Sequence, residues 1–133
     1  MGVDVIMTIE QAIHQFWSSF GLTAYDDNSV PDGATLPYLT YSVNIGDITS
    51  GPVTTQASLW YRSMSWKEIT EKSEEIRNHL GIGGVMIEHD DGAIWIKRGN
   101  TFAQRSAAGS SGSGQDNTMR RVVLTVDIEF INN

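Results

Sequence analysis

Asp127 and Glu129 stand two residues apart in an alternating run, so both carboxylates fall on one side of a strand. Paired carboxylates can divide acid and base roles. No accompanying nucleophile or pocket motif completes such a centre, and a solvated or subunit-facing strand side accounts for the pair. Glu88-His89-Asp90-Asp91 has metal-ligating residue types. Neighbours on a strand face opposite ways, so Glu88 and His89 do not converge, and Asp90-Asp91 has the composition of a hairpin turn. Asp26-Asp27-Asn28 lacks the remaining ligands of a calcium loop. A nucleophile elbow fails at Ser113, which stands where the last glycine of Gly-x-Ser-x-Gly belongs. Gly81, Gly83 and Gly84 follow a helical pattern rather than a strand, which makes them a helix stop and turn, not a phosphate loop. His14 and His79 sit near the polar sides of separate helices, and surface positions are expected for both. The residues identify no catalytic group, no metal site and no cofactor.

Bulk properties narrow the class. At 133 residues the chain fits one α+β domain spanning 1–133. Hydrophobic residues make up 40% and charged residues 19%, a globular composition. The formal net charge of -7 opposes general nucleic-acid binding. With no cysteine, disulfides and thiolate metal sites are excluded. Met1–Met7 carries Asp4 and no basic residue, unlike a secretory signal, and no apolar run approaches the ~20 residues of a membrane span. A soluble protein is expected.

The elements that would position any site follow from periodicity. Ile9, Ala12, Ile13, Phe16, Trp17 and Phe20 form one helical face, with a Thr8–Gln11 capping box ahead and Gly21 as the stop. Leu22–Tyr25 is a short strand, and 26–37 a turn-rich loop. Leu39, Tyr41, Val43 and Ile45 alternate as a strand. Gly46–Thr55 is a turn region, and a strand follows over Gln56–Arg62. Ser65 and Glu68 predict a second capping box, opening a helix that ends at Leu80-Gly81. Val85–His89 and Ala93–Arg98 predict a hairpin across Asp90-Asp91-Gly92. Val122, Leu124, Val126, Ile128 and Phe130 mark the last strand. The expected architecture is a mainly antiparallel sheet with two helices packed on one face.

Between the last two strands, Gly99–Thr118 reads as a long flexible arm containing the Gly/Ser run 109–114. Lys97, Arg98, Arg105, Arg120 and Arg121 flank it and are five of the nine basic residues. Two readings stand: ordinary surface charge offsetting the glutamates of the second helix, or an arm that seeks an acidic neighbour or nucleic-acid phosphates.

Several stretches together carry a family resemblance. They are the aromatic helix Ile9–Phe20, the passage Val30-Pro31-Asp32-Gly33-Ala34-Thr35-Leu36-Pro37-Tyr38-Leu39-Thr40-Tyr41, the strand-to-helix step Leu59–Leu80 and the closing strand Arg121–Ile131. In pattern and order, over most of its length, the chain resembles the tail-terminator or tail-completion proteins of long-tailed bacteriophages. The resemblance implies a structural virion subunit without enzymatic activity. It would form a homo-oligomeric ring, typically a hexamer, that caps the tail tube and joins tail to head. The implied partners are copies of itself, the tail-tube protein and a head-connector or neck protein. Genomic DNA would pass through the lumen without sequence-specific binding. The implied place is the virion neck, after assembly in the host cytoplasm. The family has no fixed motif that assigns contact residues, and the glycine–serine content of 99–118 departs from it. Another neck component, such as a head-completion protein, is the near alternative. A small-molecule-binding or hydrolytic domain using Trp60, Trp95 and the outer carboxylates as a cleft is the distant one.

Overall fold

The computed structural model describes residues 7–106 and 118–132. In chain order the elements are α1 (Ile9–Ser18), β1 (Thr23–Asp26), β2 (Tyr38–Tyr41), a 3₁₀ turn (Ile48–Ser50), β3 (Val53–Arg62), α2 (Lys67–Leu80), β4 (Val85–His89), β5 (Gly92–Ser106) and β6 (Met119–Asn132). The fold is α+β, as the periodicity predicts.

The strands form a six-stranded sheet in the order β1-β2-β3-β6-β5-β4. It is mixed rather than mainly antiparallel: β1 and β2 run parallel, Thr23 opposite Tyr38 and Asp26 opposite Tyr41, while the other neighbours are antiparallel. The 27–37 segment carries the chain back to the end at which β1 began, and its Leu36–Pro37 peptide is cis. Parallel neighbours usually need a helical crossover, so a turn-rich loop gives no hint of one.

Alternation along β6 sets one buried face. Val122, Leu124, Val126, Ile128 and Phe130 are all buried, matched across the ladders by Leu59, Ala57, Ile96 and Ile94. The apolar stripes of both helices belong to the same cluster, through Ile13, Phe16, Trp17, Ile69, Ile76 and Leu80. Helix α2 lies against the central strands β3, β5 and β6, whereas α1 touches β1 and β4, the two outermost strands. The sheet therefore curls until one helix spans its edges, as the right-handed twist of strands favours.

The helix ends show where local chemistry governs. Thr8 caps α1 through its hydroxyl and the Gln11 N–H (3.2 Å), and the Gln11 side chain accepts from the Thr8 N–H (2.9 Å). The second capping box does not form. Helix α2 begins one residue later than a Ser65 cap requires, so Trp66 occupies the cap position and Glu68 returns no bond. Ser65 Oγ accepts from Lys67 N–H (3.0 Å) instead.

Other predicted boundaries shift as well. Strand β2 stops at Tyr41 and leaves Ile45 exposed, because the chain turns away toward the Asp47-capped 3₁₀ turn. Strand β3 starts at Val53, inside the predicted turn region. The largest correction concerns the arm: residues 99–106 belong to β5, paired with β6 through Ser106 and Arg121. Five steps along β5, from Arg98 to Ala103, oppose two along β6, from Val126 to Leu124. This bulge holds Thr101 at φ 54° and lays Gly99 against Thr125. The Gly/Ser run 109–114 lies outside the described residues.

Candidate functional site

The five flanking basic residues do not form one patch. Pairing along the ladders divides them between the two faces of the sheet, because neighbours in a strand point oppositely. Arg120 pairs with buried Tyr61 and Arg105 with buried Val122, which places both on the sheet face that carries Leu59 and Leu124. There their guanidinium groups lie 5.1 and 4.6 Å from the Trp66 ring centroid. Arg98 pairs with Val126 and lines a shallow depression with Arg77, Ile82, Gly99 and Phe102.

Lys97 and Arg121 lie on the opposite face. Lys97 donates to Glu129 (2.7 Å) and sits 4.3 Å from the Trp95 ring centroid. Arg121 pairs with Trp60 across the β3–β6 ladder, its guanidinium carbon 4.7 Å from that ring's centroid. Lys97 lies opposite Asp127, six steps along β6 from Arg121, about 20 Å of strand.

Around Arg121 the second face becomes a cavity. It measures about 260 Å³ and is bounded by Tyr38 and Thr40 of β2, Ser58 and Trp60 of β3, Arg121 of β6, and Asp27 and Val30 of the preceding loop. Tyr38 and Trp60 form its aromatic side, their ring centroids 6.4 Å apart, and Tyr25 backs Tyr38 from outside the cavity with its centroid 5.6 Å away. Trp60 Nε1 donates to Thr40 Oγ1 (3.0 Å), and Arg121 Nε donates to Ser58 Oγ (3.2 Å). Asp27 accepts from the Ser42 hydroxyl (2.7 Å). Among the described residues no carboxylate pairs with Arg121, in a chain with 16 acidic residues.

The residues singled out for acid–base chemistry are differently placed. Asp127 accepts from Thr54 (2.8 Å) and Glu129 from Lys97, so each carboxylate has a local partner. Neither borders the Trp60 cavity, nor does Trp95, whose Nε1 donates to Gly83 O (2.7 Å). The cleft imagined from Trp60, Trp95, Asp127 and Glu129 therefore does not exist as one unit.

Glu88 is exposed while the His89 side chain turns inward, as alternation requires. Among the described residues no three His, Asp or Glu converge as metal ligands. His14 and His79 are exposed, His14 bonding the Tyr41 hydroxyl (2.9 Å) and His79 meeting the Phe20 ring edge-on at 5.3 Å. Burial, with Asp26 and Glu10 adding to it, raises the Tyr41 hydroxyl above the ordinary 10.0. Burial likewise raises Tyr61, with Glu68 and Glu75 adding.

Sequence reasoning missed Tyr25, Tyr38, Thr40, Ser42 and Ser58. The available signal was the solvent-side register of two strands, Tyr38-x-Thr40-x-Ser42 and Gln56-x-Ser58-x-Trp60, in which aromatic and hydroxyl residues recur at every second position. Among the described residues no helix is long and apolar enough to cross a membrane. The chain matches no protein-family model, no curated protein and no solved structure.

Proposed function

We propose that this protein is a non-enzymatic assembly subunit that docks to copies of itself, in the manner of the phage tail terminators it resembles. The reading takes both helices to cover the sheet face that carries Leu59 and Leu124, leaving the opposite face for partners. The observation that carries it is the composition of that second face. Met86 opposite Trp95, Ile131 opposite Ala93, and Trp60 beside Tyr38 place aromatic and apolar side chains on a sheet surface. Met86 is 53% exposed and Ile131 37% exposed. Apolar groups gathered on one sheet face favour burial against a further layer.

In this reading the subunits close into a ring, hexameric as the resemblance implies, at the end of a tail tube, and the ring meets a neck protein of the head. Arg105 and Arg120, which share one face at the end of the β5–β6 pair, meet an acidic neighbour there, while Arg121 serves the opposite face. DNA passes the lumen without sequence-specific contact, and the protein resides in the virion neck.

Native mass spectrometry with negative-stain imaging tests this, together with binding to assembled tail tubes. Closed rings, free or on tubes, are expected; a strict monomer at high concentration that also ignores tubes would refute it. Loss of the protein should leave overlong tails, whereas filled heads without tails would favour a head-completion role.

A further inference from the structure

We infer that the cavity at Arg121 is a binding site for a carboxylate group, presented on a short stem that lies against Tyr38 and Trp60. This goes beyond ring assembly and does not depend on it. The cavity leaves hydrogen-bonding capacity unspent. Arg121 uses Nε on Ser58 Oγ, and its two terminal nitrogens have no acceptor among the described residues. Ser58 Oγ spends a lone pair on that bond, and Thr40 Oγ1 spends one on Trp60 Nε1, so both hydroxyl protons remain available. Thr40 and Ser58 are only 8% and 5% exposed, where an unsatisfied polar group is costly. The cavity thus offers a half-buried cation and two hydroxyl donors, with no acceptor of their own.

The same lining selects among anions. A guanidinium with two parallel N–H groups matches the two oxygens of a planar carboxylate. The guanidinium is held over the Trp60 ring, its carbon 4.7 Å from the ring centroid, and by its Nε bond to Ser58. Asp27 borders the cavity and opposes any anion, but a phosphate dianion concentrates two charges and tetrahedral oxygens on the one group that meets the single cation, whereas a carboxylate brings one charge on a planar group. Asp27 is committed to the Ser42 hydroxyl and adds no donor. The rings of Tyr38 and Trp60 supply apolar surface for one or two methylene groups.

The carboxylate has two possible sources, an acidic side chain of a protein neighbour or a free small acid, and one experiment separates them. The full chain is titrated with acetate, with succinate and with inorganic phosphate at constant ionic strength, following the Trp60 indole and Arg121 Nε N–H resonances. Sedimentation velocity is run alongside, with and without succinate. Both carboxylates should move the two resonances saturably, and phosphate should bind about tenfold more weakly. Arg121→Lys, which keeps the charge but loses the fork, should weaken carboxylate binding about tenfold. It also guards against an Arg121→Gln variant that fails to fold. Self-association that succinate disperses and Arg121→Gln abolishes identifies a neighbouring chain as the source. Saturable shifts with an unchanged sedimentation profile identify a small acid. The inference is overturned if no carboxylate moves either resonance, if phosphate binds as tightly, or if Arg121→Lys binds carboxylate as well as the wild type.

Discussion

Residue-scale effects divide by burial. Leu124 is fully buried on the central strand β6, so Leu124→Ala leaves a cavity with little means of collapse. The expected loss is about 2–5 kcal/mol in chemical denaturation. Lys97–Glu129 is a short ion pair, but both side chains remain about a third exposed. Lys97→Met should therefore change stability by less than about 1 kcal/mol in the same measurement. Tyr41 and Tyr61 give the protein an alkaline limit. Their folded hydroxyls hold protons more tightly than the ordinary 10.0, so their contribution is intact below that pH and is lost as pH climbs through the raised values. Denaturation midpoints between pH 8 and 11 should fall above pH 10, and less steeply in Tyr41→Phe.

At the scale of elements, local chemistry was readable where it was self-contained. The Thr8–Gln11 box involves only neighbours in sequence, and the observed cap matches the prediction. Thr8→Ala should cost about 1 kcal/mol by thermal or chemical unfolding. Strand β6 was equally legible, since every second residue from Val122 to Phe130 is apolar and buried. Strand β5 was legible only as far as Arg98. Its bulge inserts Gly99, Asn100 and Thr101 and breaks the two-residue period, so 99–106 looked like loop although the ladder resumes at Ala103. A Cβ at Gly99 would approach Thr125 Cγ2 to 2.7 Å and Thr125 O to 2.9 Å. Gly99→Val should thus destabilise the β5–β6 pair, seen as faster amide exchange at Ala103–Ser106 than at Ile94–Ile96. The parallel β1–β2 edge was hidden for a different reason. Strand direction depends on where the 27–37 segment goes, and local patterning carries no record of that. The candidate site suffered similarly. Arg121 and Trp60 each stand out in the sequence, but only the β3–β6 register, set between positions 61 apart in the chain, makes them partners.

At the scale of the molecule, the five basic residues look like one cluster in sequence and are two sets in space. Arg98, Arg105 and Arg120 share the face of Leu59 and Leu124, and Lys97 and Arg121 the other. A ring contact made by the sheet face that carries Trp60 and Met86 should therefore respond to Arg121 and to Met86, and little to Arg98. The most direct test of the assembly account is native mass spectrometry of the full chain over a range of concentrations, with and without tail tubes. The account predicts one closed oligomer of fixed subunit number, free or on the tube, weakened by Met86→Asp. A monomer that persists at the highest concentration and leaves tail tubes unbound would contradict it.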